Sequence, residues 1–155
     1  MSVQAALKAQ QAKLGQVTHV GPWLEITQER IDKFAEATGD YQWIHVDPER
    51  ARRESPMGAT IAHGFLTLSL IPFLTGLGEG RAADCEGMKM ALNYGLNRVR
   101  FVSPVPVGSR LRATTKLIGV EEVAGGLQIT NEVTIEIDGG KKPACVAESL
   151  SRIYF

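Results

Sequence analysis

An excess of positive charge is the first thing this sequence lacks. Its 17 Lys and Arg are matched by 17 Asp and Glu, giving a formal net charge of zero. Nucleic-acid binding driven by counterion release therefore has no global charge surplus behind it. No run of five like charges occurs, which removes an acidic or basic interaction tail. Cysteine is scarce: Cys85 and Cys145 are too few for a disulfide scaffold and have no metal-ligand spacing. An uninterrupted apolar run is missing too. The longest apolar-leaning stretch, residues 61–77, is broken by His63, Gly64, Thr67, Ser69, Pro72 and Thr75, so it reads as a buried core helix and not a membrane span. Residues 2–16 are small, polar and lysine-dotted, without the apolar centre of a signal peptide. These absences predict a cytoplasmic, reduced protein. With 155 residues, 44% hydrophobic and 22% charged, the chain predicts one globular domain over 1–155.

What is present falls into two halves. Residues 2–14 form a weakly amphipathic helix ending near Gly15, and residues 17–26 read as a strand interrupted at Gly21-Pro22. Thr27 offers an N-cap for a helix through Ala37, whose Ile31, Phe34, Ala35 and Thr38 share one face. Gly39 ends it, and Asp47-Pro48 starts the next helix as N-cap and first helical residue. The segment 40–46 is thus a loop held at both ends. After a loop at 55–59, Thr60 is placed to cap the long apolar helix expected over 61–76, and residues 77–87 read as a surface loop. From Lys89 the pattern changes to strands. Leu111, Ala113, Thr115 and Leu117 alternate with charged or polar neighbours, and so do Leu127, Ile129, Val133, Ile135 and Ile137. Gly125-Gly126 and Asp138-Gly139-Gly140 supply turns, and residues 146–154 make the last strand. Helices followed by antiparallel strands define an α+β class. A helix apolar nearly all round needs cover on most sides, which a curved sheet provides. About five strands leave two edges to be paired, so a homodimer is expected.

The densest chemistry lies in residues 38–48. Asp40 and His45 sit five residues apart in a tethered loop, where a carboxylate and an imidazole can converge on one small molecule. Their residue types alone also fit a helix-end hydrogen bond and a ring packed under Trp43. Asp47 is fully explained as an N-cap and is kept out of the site. The second cluster is Thr60-Ile61-Ala62-His63-Gly64-Phe65. Gly64 in a first helical turn costs about 1 kcal/mol relative to Ala. Close approach of a ligand to the backbone, or close packing against a strand, would each offset that cost. A free N–H at this helix start suits a developing oxyanion. His63 either orients this turn or fills space in it. His19, His45 and His63 are scattered, with no metal-binding spacing, so no metal is expected. No GxSxG, phosphate-loop or dinucleotide fingerprint occurs.

Gly39-Asp40-x-x-x-x-His45-x-Asp47-Pro48, followed by Ile61-Ala62-His63-Gly64, resembles the MaoC-like (R)-specific enoyl-CoA hydratases, also called hydratase 2. The run Tyr94 to Phe101 with Pro104, Val105, Val107 and Gly108 adds a matching strand, and the likeness extends from about Trp23 to the C-terminus. The resemblance implies a hot-dog fold, an antiparallel sheet wrapped around one long central helix, assembled as a homodimer. It also implies hydration of a trans-2-enoyl-CoA to an (R)-3-hydroxyacyl-CoA without metal or cofactor, coenzyme A being part of the substrate. On that pattern Asp40 and His45 hold the reacting water, and the Gly64 N–H polarises the thioester carbonyl. His63 and Gln42 join Gly64 as substrate-binding candidates. Many relatives carry Asn-Pro where this chain has Gln42-Trp43, and Pro72 stands where some place a hydroxyl residue.

Two other readings share the fold. An acyl-CoA thioesterase needs an acid on the central helix, and residues 61–77 contain no Asp or Glu. A non-catalytic acyl-CoA-binding subunit would have no use for both Asp40 and His45. Lys89, Arg98, Arg100 and Arg110 are unranked candidates for the coenzyme A phosphates.

Overall fold

The structure is a computed structural model that describes residues 2–77 and 85–155. Helix α1 (Val3–Gln11) is followed by the short strands β1 (Val17–Val20) and β2 (Leu24–Glu25). Next come α2 (Gln28–Thr38), α3 (Trp43–Val46), α4 (Pro48–Glu54), α5 (Gly64–Ser69) and α6 (Ile71–Leu74). Four long strands complete the chain: β3 (Met90–Phe101), β4 (Arg110–Val123), β5 (Gly126–Ile137) and β6 (Cys145–Tyr154). All pair antiparallel in one sheet of order β1-β4-β5-β6-β3, with β2 also on β4. The strict alternation seen in β4 and β5 becomes a register in which Leu111 faces Ile137, Ala113 faces Ile135 and Thr115 faces Val133.

One face of the sheet packs on α5 and α6. Leu66, Leu70 and Leu74, four residues apart, form a stripe with Ile71 that meets Ala113, Val133, Ile135 and Ala147. Full burial contributes about 2 kcal/mol for each such Leu or Ile. At the sheet's other end Ala6, with Val3 and Leu7 of α1, covers Leu117, Leu127, Ile129 and Ile153. This is the hot-dog arrangement.

The central helix departs from the expectation in four ways. It starts at Gly64, not at residue 61, and it is divided at Leu70 into two pieces. Pro72, without an N–H, leaves the Leu68 carbonyl no helical partner at that break. Thr60 is no N-cap. The chain before the helix is held as an extended strap: Ile61 N–H donates to Ile44 O, Ala62 N–H to Val105 O, and Val107 N–H to Thr60 O. Nor is the helix covered all round, for Phe65 is 67% exposed and Phe73 46%. Part of the loop expected over 77–87, residues 78–84, lies outside the described residues. The segment after Asp40 is partly helical, because α3 makes one turn there.

β3 ends the sheet and pairs only with β6. Its Met90, Leu92, Tyr94 and Leu96 are all exposed in the single chain, and register shifts after Asn93 and after Leu96 interrupt its alternation. Among the described residues, no helix is long and apolar enough to cross a membrane.

Candidate active site

Capping decides where the site residues stand. Thr27 accepts the Arg30 N–H at 3.2 Å and opens α2. Gly39, at φ +79°, closes it by donating its N–H to Ala35 O at 2.8 Å. That left-handed residue turns the chain sharply, as glycine allows at little cost. Asp40 comes next, and its Oδ1 accepts the Gln42 N–H at 3.3 Å, an Asx turn leading into α3. One turn of α3 then carries His45 inward. Asp47 accepts the Arg50 N–H at 2.9 Å and caps α4, as its sequence context predicts.

The two histidines of the site are buried, His45 to 7% and His63 to 2% exposure. His45 Nδ1 lies 2.7 Å from Ile61 O, and His63 Nε2 lies 3.0 Å from Asp40 O. A carbonyl oxygen only accepts, so each of these nitrogens carries the proton. That leaves a lone pair on His45 Nε2 and another on His63 Nδ1, the latter buried and unpartnered. The rings stack with centroids 3.9 Å apart, and Phe34 backs His63 at 4.9 Å. Burial pulls the His45 pKa below the usual imidazole value; the Ile61 carbonyl opposes this, His63 reinforces it and Asp40 opposes it. Burial thus favours the neutral ring of His45, whose Nε2 can accept a proton. One ligand atom from each of Asp40, His45 and His63 falls within 4.8 Å of the others.

A second set of bonds holds this corner from outside. Gln28 donates its amide to His45 O at 2.7 Å and to Asp32 Oδ1 at 2.8 Å, while its Oε1 accepts the Thr60 hydroxyl at 2.5 Å. One side chain thus ties α2, α3 and the strap before α5. Sequence reasoning missed Gln28, whose partners are 17 and 32 residues away. It also misread Thr60, a hydroxyl sitting at a plausible cap position.

Beside the pair lies a pocket of about 240 Å³, lined by His45, Gly64, Thr67, Phe101, Ser103 and Ala144 among others. Of the five candidates, His45 and Gly64 are on its wall; Asp40, His63 and Gln42 are not. His63 instead lies behind His45, fixing both members of the pair. Gln42 contributes through its backbone, accepting the His45 and Val46 N–H groups, and its side chain is exposed. Among the described residues nothing accepts the Gly64 N–H from within the chain. A Cβ on Gly64 would come 2.8 Å from the Phe101 ring, so close packing against a strand does account for this glycine. Thr67, 2% exposed and on the pocket wall, brings a hydroxyl that sequence reasoning passed over. Cys145 is no nucleophile: it is fully buried, and burial pushes its thiol up to about 11. Among the basic candidates, Arg110 is engaged by Asp138 and lies over Trp23, and Arg100 bonds the Val99 carbonyl.

An antiparallel sheet packed on a central helix defines a hot-dog protein. Residues 9–138 match the MaoC-like domain, and the chain belongs to that dehydratase family. It is 54% identical over 142 residues to 3-hydroxyacyl-thioester dehydratase Z of Mycobacterium tuberculosis, covering 91% of each chain. It is 44% identical to nodulation protein N of Rhizobium leguminosarum, covering 93% of this chain and 88% of that one. The solved (R)-hydratase from A. caviae involved in PHA biosynthesis superposes with a TM-score of 0.69 at 23% identity, over 88% of this chain and 95% of that one.

Proposed function

We propose that this protein is an (R)-specific enoyl-CoA hydratase, adding water reversibly to a trans-2-enoyl-CoA to give the (R)-3-hydroxyacyl-CoA. The observation that carries the reading is the His45 Nε2 lone pair, held by the Ile61 carbonyl on the wall of a pocket that Gly64 also lines. The relative named as a 3-hydroxyacyl-thioester dehydratase supports the substrate class.

Water is held between His45 Nε2 and the Asp40 carboxylate. As its oxygen bonds to C3, the C2=C3 electron pair shifts toward C2 and the thioester oxygen. One water proton passes to the pair and is returned to C2. The Gly64 N–H faces the negative charge that develops on the thioester oxygen, and such a donor is worth about 3 kcal/mol. No electrons are gained or lost overall, so the step balances without a redox cofactor. Hydrolysis is the less suitable reaction here, because Gly64–Leu74 contains no acidic residue to direct water to the carbonyl. The edge strand β3, with its exposed apolar side chains, is the surface on which two copies pair as a homodimer, since an uncovered edge of this kind invites pairing.

Ultraviolet absorbance of crotonyl-CoA tests the reaction. Loss of the conjugated enoyl-thioester band without thiol release supports it. Thiol release at the same rate, or no change in the band, contradicts it.

A further inference from the structure

A cavity larger than the reaction pocket lies elsewhere. A chamber of about 540 Å³ lies between the sheet and the α1–β1 region, at the far end of α5–α6 from Gly64. Its sheet wall is unexpectedly polar. Thr115 of β4, Asn131 of β5, and Ser149 and Ser151 of β6 face the same space as Leu117, Ile129 and Val133. Asn131 and Ser149 stand directly opposite each other in the register. Two of the polar atoms have no partner among the described residues. Thr115 is 6% exposed with its hydroxyl unbonded, and His19 Nε2 is buried and unbonded. Leaving such groups unpartnered is costly, so buried polar atoms ordinarily meet protein, water or ligand. Apolar side chains would have packed this position without that cost.

The helix links the chamber to the reaction pocket. Thr67 lines the pocket, while Ile71 and Thr75 line the chamber. Spacings of four put the three in one row on the helix face. At about 1.5 Å per residue, Ile71 lies roughly 10 Å beyond Gly64, within reach of a medium-length acyl chain whose thioester rests at Gly64.

We infer that this chamber receives the distal part of the acyl chain and selects chains bearing a hydroxyl group there, with Thr115 and His19 as the hydrogen-bonding partners. The inference rests on the hydratase reading and names its substrate class. A terminal hydroxyl can donate to the lone pair of an imidazole nitrogen and accept from the Thr115 hydroxyl. A plain alkyl chain would leave both atoms unpartnered.

The test compares crotonyl-CoA, trans-2-decenoyl-CoA and the terminally hydroxylated decenoyl-CoA on the full chain. Crotonyl-CoA is too short to reach the chamber, so its turnover tests the hydratase reading alone. For the two long substrates we expect kcat/KM to favour the hydroxylated one by about tenfold, the size of one satisfied buried hydrogen bond. Thr115→Val and His19→Phe should each bring that ratio toward one. The ratio is taken within a single protein, so a general loss of folded enzyme divides out. Calorimetric titration with the saturated forms of the long pair reads the same preference as a Kd ratio without turnover. A wild-type ratio at or below one in both measurements would mean that water alone fills the chamber, and a preference that survives both substitutions would remove Thr115 and His19 as the partners; either overturns the inference. Crotonyl-CoA turnover with no such preference overturns the chamber assignment and leaves the hydratase standing.

Discussion

The two ends of the α5–α6 helix treat buried polar groups in opposite ways. At the Gly64 end, both imidazoles are bonded to backbone carbonyls and stacked on each other, and the surrounding strap is clasped by Gln28. At the Thr75 end, the Thr115 hydroxyl and His19 Nε2 reach no partner among the described residues. On the proposed reading, the difference separates two tasks. Proton transfer needs a fixed tautomer and a fixed direction, so the protein spends hydrogen bonds on holding the ring. Binding a chain of variable length and polarity needs free valence and room. Even at the ordered end one atom stays unpartnered, His63 Nδ1.

If the ordered end does the chemistry, the largest effect should come from the pair itself. Asp40→Asn nearly preserves shape and should slow crotonyl-CoA hydration by at least ~10²-fold. A near wild-type rate in a folded variant would remove Asp40 from the site. His63→Phe keeps an aromatic ring against His45 but deletes the donor to the Asp40 carbonyl. We expect kcat to fall about tenfold, the worth of one hydrogen bond, with KM little changed. Gln28→Leu leaves the Thr60 hydroxyl buried without an acceptor, and thermal melts should show a loss of about 2 kcal/mol, or roughly 5 °C. Adding Thr60→Val should recover part of it.

Gly64→Ala is a subtler test of the same end. The new methyl must displace the Phe101 ring, 2.8 Å away and packed edge-on against Phe65. Stability should fall modestly while the pocket wall moves and kcat/KM drops several-fold. A large fall in melting temperature with proportionate loss of activity would make packing the whole reason for this glycine. The smallest effect is on pH. Because burial depresses the His45 pKa, the unfolded chain takes up this proton first as pH falls. The histidine's contribution to stability is complete above its unfolded value of about 6.5 and declines as pH drops through the folded value. Comparing the melting curves of wild type and His45→Gln between neutral and mildly acid pH reads that slope. An equal slope in both would remove His45 as its source.

What could be read from the sequence was local. Thr27, Gly39 and Asp47-Pro48 mark helix ends through contacts within four residues, and the structure uses all of them as read. The alternation in β4 and β5 depends only on the two-residue period of a strand. Asp40 and His45 were legible because a short turn brings them together. Thr60 was misread for the opposite reason. Its environment is set by Gln28 and Val107, and no nearby residue records that the strap bonds Ile44 and Val105 before the helix begins. The chamber was invisible because its wall is one side chain in two from three strands, each reading as an ordinary alternating strand.

The most direct test of the account is whether Asp40 and His45 act on the same water. Crotonyl-CoA hydration should be measured for wild type, Asp40→Asn, His45→Gln and the double variant under one set of conditions. Residues that serve one step as a unit are strongly non-additive. Each single change should cost at least ~10²-fold in kcat, and the double variant should be about as slow as the slower single one. Losses that multiply in the double variant, or one single variant that stays near the wild-type rate, would contradict the shared water at the centre of this account.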